Sequence, residues 1–418
     1  MTKIILFILG LCLALSSAHA QNMQPVLQFS NGNWFDGSKF VEGTWYSVDG
    51  KLTKKAPAKV DSVVDLAWRW VVPPLGDAFC SSLAEKSFVA QQLRSYSEDG
   101  VFYLQVLANT QEDRKKATAL LPPTGGLEVV FANGGFTCTL GHPFLDYEAP
   151  AQGARSAEDI AQKYTQIREG RTMLGNGYWF ADTDKAVGQI WKNFLAQSPG
   201  AVSIYLLDAQ NSGGKESKGL TADAAKAIVK KAHRSNLRVF AHVETAADLR
   251  LGLKLGVDGF ANLPGHHWDG TGDGSKYELT DQDLKKLARE KTPVVALFSH
   301  ALTRANRPNA QEIQGTLLKR LLNHGVLVVL GTDDPQRAVR AEVNYWFQIK
   351  DLDNGAAIRV FCTNTPQAIF PKRKIGRFED GYESSFVVLN ENPLLNLLSL
   401  RNIAFSVRQG VFRQVPQH

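Results

Sequence analysis

Residues 238–263 read Arg-Val-Phe-Ala-His-Val-Glu-Thr-Ala-Ala-Asp-Leu-Arg-Leu-Gly-Leu-Lys-Leu-Gly-Val-Asp-Gly-Phe-Ala-Asn-Leu. Arg238 to Val243 and Gly259 to Leu263 are short apolar runs of strand length. Between them, about Ala246 to Leu255 reads as a helix that stops at Gly256. Strand, helix and strand in such quick succession form one βαβ unit, so the two strands are expected to lie parallel.

The same alternation extends in both directions. Strand-length runs occur at Trp70–Val72, Phe102–Leu107, Leu127–Phe131, Val202–Leu207, Val294–Phe298 and Val326–Leu330. Among the intervening helices, one is capped by Thr280 and carries Leu284 and Leu287, with Asp283 at the capping-box position but short for an ideal reach. Another carries Leu317, Leu318, Leu321 and Leu322 and stops at Gly325. Eight strands alternating with helices are the count of a (β/α)8 barrel. The stretch from about Gly134 to Gly200 is too long for one crossover. It is expected to hold extra helices, such as Ala157 to Arg168, over the barrel mouth.

The two ends read differently. Asn33-Trp34-Phe35 runs into Asp36-Gly37, and Thr44 to Val48 runs into Asp49-Gly50-Lys51. Ser385 to Leu389 and Ile403 to Val407, the latter followed by Gly410, repeat the pattern near the C-terminus. Aromatic and β-branched runs broken by Asp-Gly pairs are hairpin signals. The expectation is a small β-domain built jointly from both termini.

Composition sets the outer limits. The 418 residues are 44% hydrophobic and 21% charged, with a mean hydropathy of -0.19, which excludes a wholly disordered or collagen-like chain. The net charge of +6 has no Lys/Arg run longer than three residues behind it, so a nucleic-acid partner is not expected. Residues 1–20 read as a secretory leader: Lys3, an apolar run from Ile4 to Leu15, and a small-x-small ending at Ala18-His19-Ala20. That run is too short to span a bilayer, so the expectation is export, periplasmic or secreted, with no stable membrane insertion. Cys12 leaves with the leader. Cys80, Cys138 and Cys362 are widely spaced and odd in number, so no disulfide framework is expected.

The order of these pieces resembles the amidohydrolase superfamily, in particular its imidazolonepropionase- and prolidase-like hydrolases. Asn31 to Asp36 and Val63-Val64-Asp65-Leu66 look like the N-terminal small-domain strands. Val71-Val72-Pro73-Pro74-Leu75-Gly76-Asp77-Ala78 looks like the entry into barrel strand 1. Arg238 to His242, Gly256 to Ala261 and Leu330-Gly331-Thr332-Asp333 resemble strands 5, 6 and 8, and Ile375-Gly376 through Asn392-Pro393 resembles the return into the small domain. The resemblance implies a (β/α)8 TIM-like barrel at 71–368, with residues 21–70 and 369–418 forming a composite β-sandwich domain. It also implies a metal centre, usually zinc. The ligands would be an HxH pair on strand 1, a carboxylated Lys on strand 4, one His each on strands 5 and 6, and an Asp on strand 8.

Most of those ligands are replaced. Strand 1 carries Phe79 and Ser81 at the two histidine positions, strand 4 carries Ser203, and strand 6 carries Asn262; His242 and Asp333 alone remain. A four-ligand zinc site is worth roughly 10–16 kcal/mol, or very crudely about 3 per ligand. Two ligands then supply on the order of 6 kcal/mol, weaker than micromolar binding, and no metal cofactor is expected.

His242 and Asp333 are the candidate catalytic pair, and Ser81, Ser203, Asn262, His266, His267 and His300 are candidate ligand contacts. Two readings stay open. One is an exported pseudoenzyme that binds a small ligand or a protein partner. The other is a hydrolase of amide or related C–N bonds, using zinc at a reduced site rebuilt around His242, Asp333 and one of His266, His267 and His300. Cys80 is expected to point between strand and helices as a structural thiol. His233 and His324 fall near helix C-termini and read as structural, while His142 sits in a loop that reaches toward the pocket. The oligomeric state is left open.

Overall fold

The computed structural model describes residues 24–81, 83, 89–121, 126–208, 218–303, 305–334 and 339–414. The leader and Cys12 lie outside the described residues. Among the described residues no helix is long and apolar enough to cross a membrane, and Cys80, Cys138 and Cys362 are buried outside any disulfide.

Both termini build one sheet. From the N-terminal side come β1 (Leu27–Phe35), β2 (Phe40–Val48), β3 (Lys51–Thr53), β4 (Ser62–Asp65) and β5 (Trp70–Val72). The Asp49-Gly50 turn between β2 and β3 has both residues at positive φ, 48° and 70°. This is the conformation that suits a two-residue hairpin to the strand twist. Trp70–Val72 therefore does not open the barrel: it pairs with β1 and with a C-terminal strand. Pro73 and Pro74 then end the run, and the first strand of the parallel part is β6 (Leu75–Asp77).

Parallel pairing follows in two sheets. β6, β7 (Val101–Val106) and β8 (Glu128–Phe131) form one. β9 (Gly135–Thr137), β10 (Tyr178–Phe180), β11 (Val202–Tyr205), β12 (Val239–His242), β13 (Gly259–Phe260), β14 (Val294–Ala296) and β15 (Val328–Leu330) form the other, in the order β10-β9-β11-β12-β13-β14-β15. The fold is thus α/β, but its ladder is not one continuous ring. It is interrupted between β8 and β9, where Asn133 turns into the left-handed region at φ 64°. At the other seam β6 and β15 are joined through Ala78 N donating to Leu330 O at 2.7 Å. β16 (Phe386–Leu389), β17 (Ile403–Arg408) and β18 (Val411–Gln414) complete the terminal sheet, in the order β18-β17-β16-β5-β1-β2-β3 with β4 beside β1. The expected sandwich is one eight-stranded sheet, because β5 bridges strands from the two ends.

The helices obey their caps. Thr280 accepts from Asp283 N while Asp283 Oδ2 accepts from Thr280 N at 2.8 Å, so aspartate does reach across the capping box. Thr110/Asp113, Ser156/Asp159 and Thr245/Asp248 repeat the device. Gly256 ends Ala246–Leu255 in the left-handed conformation. Ala157 to Arg168 is two short helices, Ala157–Gln162 and Tyr164–Glu169, broken at Lys163.

An ion cluster joins the terminal sheet to the parallel strands. Arg408, on β17 and only 2% exposed, donates to Glu128 of β8 at 2.7 Å. Arg373 bridges Glu128 and Glu383. A guanidinium this deep needs its counter-charge. Glu128→Gln is expected to lower unfolding stability by about 2 kcal/mol, since Glu128 itself is partly solvated. A urea midpoint equal to wild type would show that the cluster contributes nothing.

Candidate functional site

The carboxyl ends of parallel strands are where an α/β fold leaves room for a ligand. Here β12 ends on His242, β13 leads into Asn262, β15 into Asp333 and β6 into Phe79. All four line one cavity of about 330 Å³, together with His266 and His267 from the loop after β13. His142, Leu207, Val243, Lys218 and Glu244 complete its wall. Lys218 Nζ and Glu244 face each other at 3.6 Å.

His242 is held from three sides. Tyr205 is its cross-strand partner, and the two rings stack at 4.2 Å and 16°. The Phe79 ring stands edge-on at 5.3 Å. Ser203, two residues before Tyr205 and so on the same face of β11, places its Oγ 2.8 Å from His242 Nε2. Burial, reinforced by His142 and His266, holds the His242 pKa well below the usual imidazole range. His242 is therefore neutral at physiological pH.

The other candidates divide. Asn262 Oδ1 accepts from Val243 N at 3.1 Å, which fixes the amide orientation, and Nδ2 then donates to His266 Nδ1 at 2.9 Å. A neutral His266 consequently carries its proton on Nε2. His267 packs edge-on to His266 at 5.1 Å. His300 lies outside the cavity lining, its ring 6.2 Å from that of His266 and its Nε2 donating to Thr332 O at 3.1 Å. The Ser81 hydroxyl is buried with no hydrogen-bond partner among the described residues. Cys80 is fully buried, with its thiol 3.3 Å from Tyr96 Oη, whose own proton goes to Asp77, as expected of a structural thiol. His233 pairs with Asp258 at 2.8 Å and His324 Nδ1 meets Arg320 O, both remote roles.

Among the described residues no group of three or more His, Cys, Asp or Glu stands close enough to hold a metal ion. The donor chemistry gives the reason. The Phe79 ring stands edge-on to His242, and the Ser203 hydroxyl engages the Nε2 of that histidine. The residues present do not fit the metal centre that the fold implies.

Three buried carboxyls that sequence reasoning did not group stand here, Asp333 in the wall itself and Asp77 and Glu342 away from the lining. Asp77 accepts from Thr332 N and Oγ1, Phe79 N and Tyr96 Oη at 2.7–3.2 Å, yet burial still raises its pKa to about 6. Asp333 sits at φ 38° with its amide donating to Phe79 O at 2.8 Å. Burial, then the neighbouring Asp77 charge, raises its pKa to about 8. The Ser81 hydroxyl, which would favour ionisation, stands outside hydrogen-bond geometry. Glu342, accepting from Ser299 N and Trp346 Nε1, is likewise raised by burial to about 8. An acidic residue closing an apolar strand was the one visible signal for Asp77. Glu342 and Tyr205 gave none.

These shifts predict a pH dependence of stability. Each carboxyl keeps its proton in the folded state after the unfolded chain has lost it above about pH 4. Stability therefore falls as pH rises, through about 6 for Asp77 and about 8 for Asp333 and Glu342. Asp333→Asn removes one contribution, on the order of a few kcal/mol. Its urea midpoint is expected to drop less than wild type between about pH 5 and about pH 8, the remaining fall coming from Asp77 and Glu342. Parallel curves for the two proteins would show that Asp333 ionises freely.

With this geometry in hand the chain can be compared with known proteins. No family model matches it. Ochratoxinase of Aspergillus niger is 24% identical over 185 residues, covering 40% of this chain and only 36% of that enzyme. Solved structures align far more completely. An amidohydrolase covers 94% of this chain and 100% of its own at TM-score 0.72 and 17% identity. A. niger ochratoxinase covers 94% and 96% at 0.69 and 16%. A prolidase complexed with N-methylphosphonate-L-proline covers 93% and 99% at 0.69 and 15%. The chain shares its fold with these amidohydrolase, ochratoxinase and prolidase structures.

Proposed function

We propose that this chain is an amidohydrolase-fold protein that works without the metal centre, as a pseudoenzyme binding a small ligand at the mouth of its parallel strands. The observation that carries the reading is the setting of His242: Nε2 engaged by Ser203, one face covered by Tyr205, and the Phe79 ring edge-on where a metal ligand is expected. In this reading the two parallel sheets close as one (β/α)8 barrel over about 71–368, with β8 and β9 counted as one interrupted strand and β10 standing outside the ring beside β9. Ala78 N–Leu330 O at one seam and Gly200 N donating to Phe131 O at 2.8 Å at the other support that closure. Residues 21–70 and 369–418 are its composite β-domain, and residues 1–20 direct export to the periplasm or beyond.

The cavity chemistry narrows the ligand. A neutral His242 and an Asp333 that keeps its proton to about pH 8 present hydrogen-bonding groups without charge, beside apolar Phe79, Leu207 and Val243. Lys218 supplies a cation at the rim. A small molecule with an amide-like polar centre and a carboxylate toward Lys218 suits this arrangement, in keeping with the proline phosphonate held by the similar prolidase.

Metal analysis separates this reading from the single-zinc hydrolase. Purified protein is expected to hold far less than one equivalent of zinc and to bind N-acetyl-L-proline in the presence of EDTA without turning it over. One equivalent of zinc, lost in His242→Ala together with an EDTA-sensitive amidase activity, would establish the hydrolase instead. Phe79→His combined with Ser81→His returns two donors beside His242 and Asp333. The double variant is expected to raise zinc affinity at least about a thousandfold, since each ligand is worth roughly 3 kcal/mol; unchanged zinc content would show that the backbone there no longer suits a metal.

A further inference from the structure

Behind His266 lies a second cavity, of about 260 Å³, between the loop 263–279 and the helix Arg307–Asn323. Its wall is largely apolar and includes Trp268, Leu297, Phe298, Ile313 and Leu317. An apolar protein cavity of ~150 Å³ is enough to take up benzene, so this chamber has room for a substituted ring.

One polar group marks it as more than a packing defect. Gln314 is 3% exposed and lines the chamber. Its Nε2 donates to the backbone carbonyl of His266 at 2.9 Å, so the amide cannot flip without setting oxygen against oxygen. Oε1 is thereby held as an acceptor, and it has no hydrogen-bond partner among the described residues. Buried acceptors are normally satisfied. The other polar groups on the wall do not answer it. Arg320 is committed to Leu279 O and Asp281, and with Glu278 it leaves the rim close to neutral.

We propose that this chamber is a second small-molecule site, taking a neutral ring of about benzene to indole size that carries one O–H or N–H donor for Gln314 Oε1. The site stands independently of whether the mouth binds or hydrolyses its ligand. It shares His266 with the mouth cavity, and Gln314 braces the His266 backbone while Asn262 holds the ring. Occupancy is therefore expected to register at His266.

The probes are 4-methylphenol and 4-methylanisole, the second carrying a methyl group in place of the donor hydrogen. Calorimetric titration of the full chain is expected to give one saturable site for 4-methylphenol with a Kd of about 0.1–1 mM, the range open to eight non-hydrogen atoms. Binding of 4-methylanisole is expected to be at least fivefold weaker, and 4-methylphenol should shift the His266 ring resonances. Leu317→Trp fills the chamber and is expected to weaken 4-methylphenol at least tenfold, whereas Leu207→Trp, which crowds the mouth, leaves it unchanged. Gln314→Leu should erase the difference between the two probes, and decides the matter if Leu317→Trp fails to fold. Absence of saturable binding, loss in Leu207→Trp, or equal affinity of both probes for wild type would overturn the proposal.

Discussion

The buried carboxyl of Asp77 ties the parallel part of the fold together. It stands at the end of β6 and receives both the amide and the hydroxyl of Thr332, 255 residues away, together with Phe79 N and Tyr96 Oη. These bonds draw the segment after β15 against the segment after β6. Asp333 is set beside Phe79 by the same closure, with its amide on the Phe79 carbonyl. Gly331 allows the approach, since a Cβ there would meet Val295 at 2.3 Å and Phe79 at 3.1 Å. A carboxyl placed here also repels the ionised form of its neighbours. It contributes to the raised pKa of Asp333 and of Glu342. One interaction thus closes a seam and adds to the burial that keeps the nearby acids protonated.

The mouth built on that seam differs in character from a metal centre. A metal site gathers anionic and imidazole donors around a shared point and relies on the ion to offset their repulsion. Here the polar side chains satisfy one another instead: Ser203 with His242, Asn262 with Val243 and His266, His300 with Thr332. Aromatic rings occupy the space between them. Such a wall retains a cavity of about 330 Å³. His266 faces both this cavity and the apolar chamber behind it, so the loop after β13 is where the two can sense each other.

Much of the fold could be read from local pattern. Strand runs ending at His242 and Leu330, helices ended by Gly256 and Gly325, and hairpins at Asp49-Gly50 and Gly410 depend on backbone preferences expressed within a few residues. The errors came where distant partners decide. Trp70–Val72 has the composition of a barrel strand, but β1 and β16 claim it. The break between β8 and β9 follows from the turn at Asn133, which periodicity does not reveal. The capping box at Thr280 and Asp283 is a local exception: aspartate, short for an ideal reach, closes it across three residues.

By itself the sequence determined the α/β alternation, the joining of the two termini in β-structure, and the residue types at Phe79, Ser81, Ser203 and Asn262. Those are matters of residue type and spacing, which chain order carries directly. Only the tertiary structure decided that His266, His267 and His142 face His242 while His300 turns to Thr332. It alone placed Asp77 where its charge acts on Asp333, and left Gln314 with an unanswered acceptor beside an apolar chamber. Proximity, burial and electric field arise when segments far apart in the chain are packed together, and no local pattern encodes them.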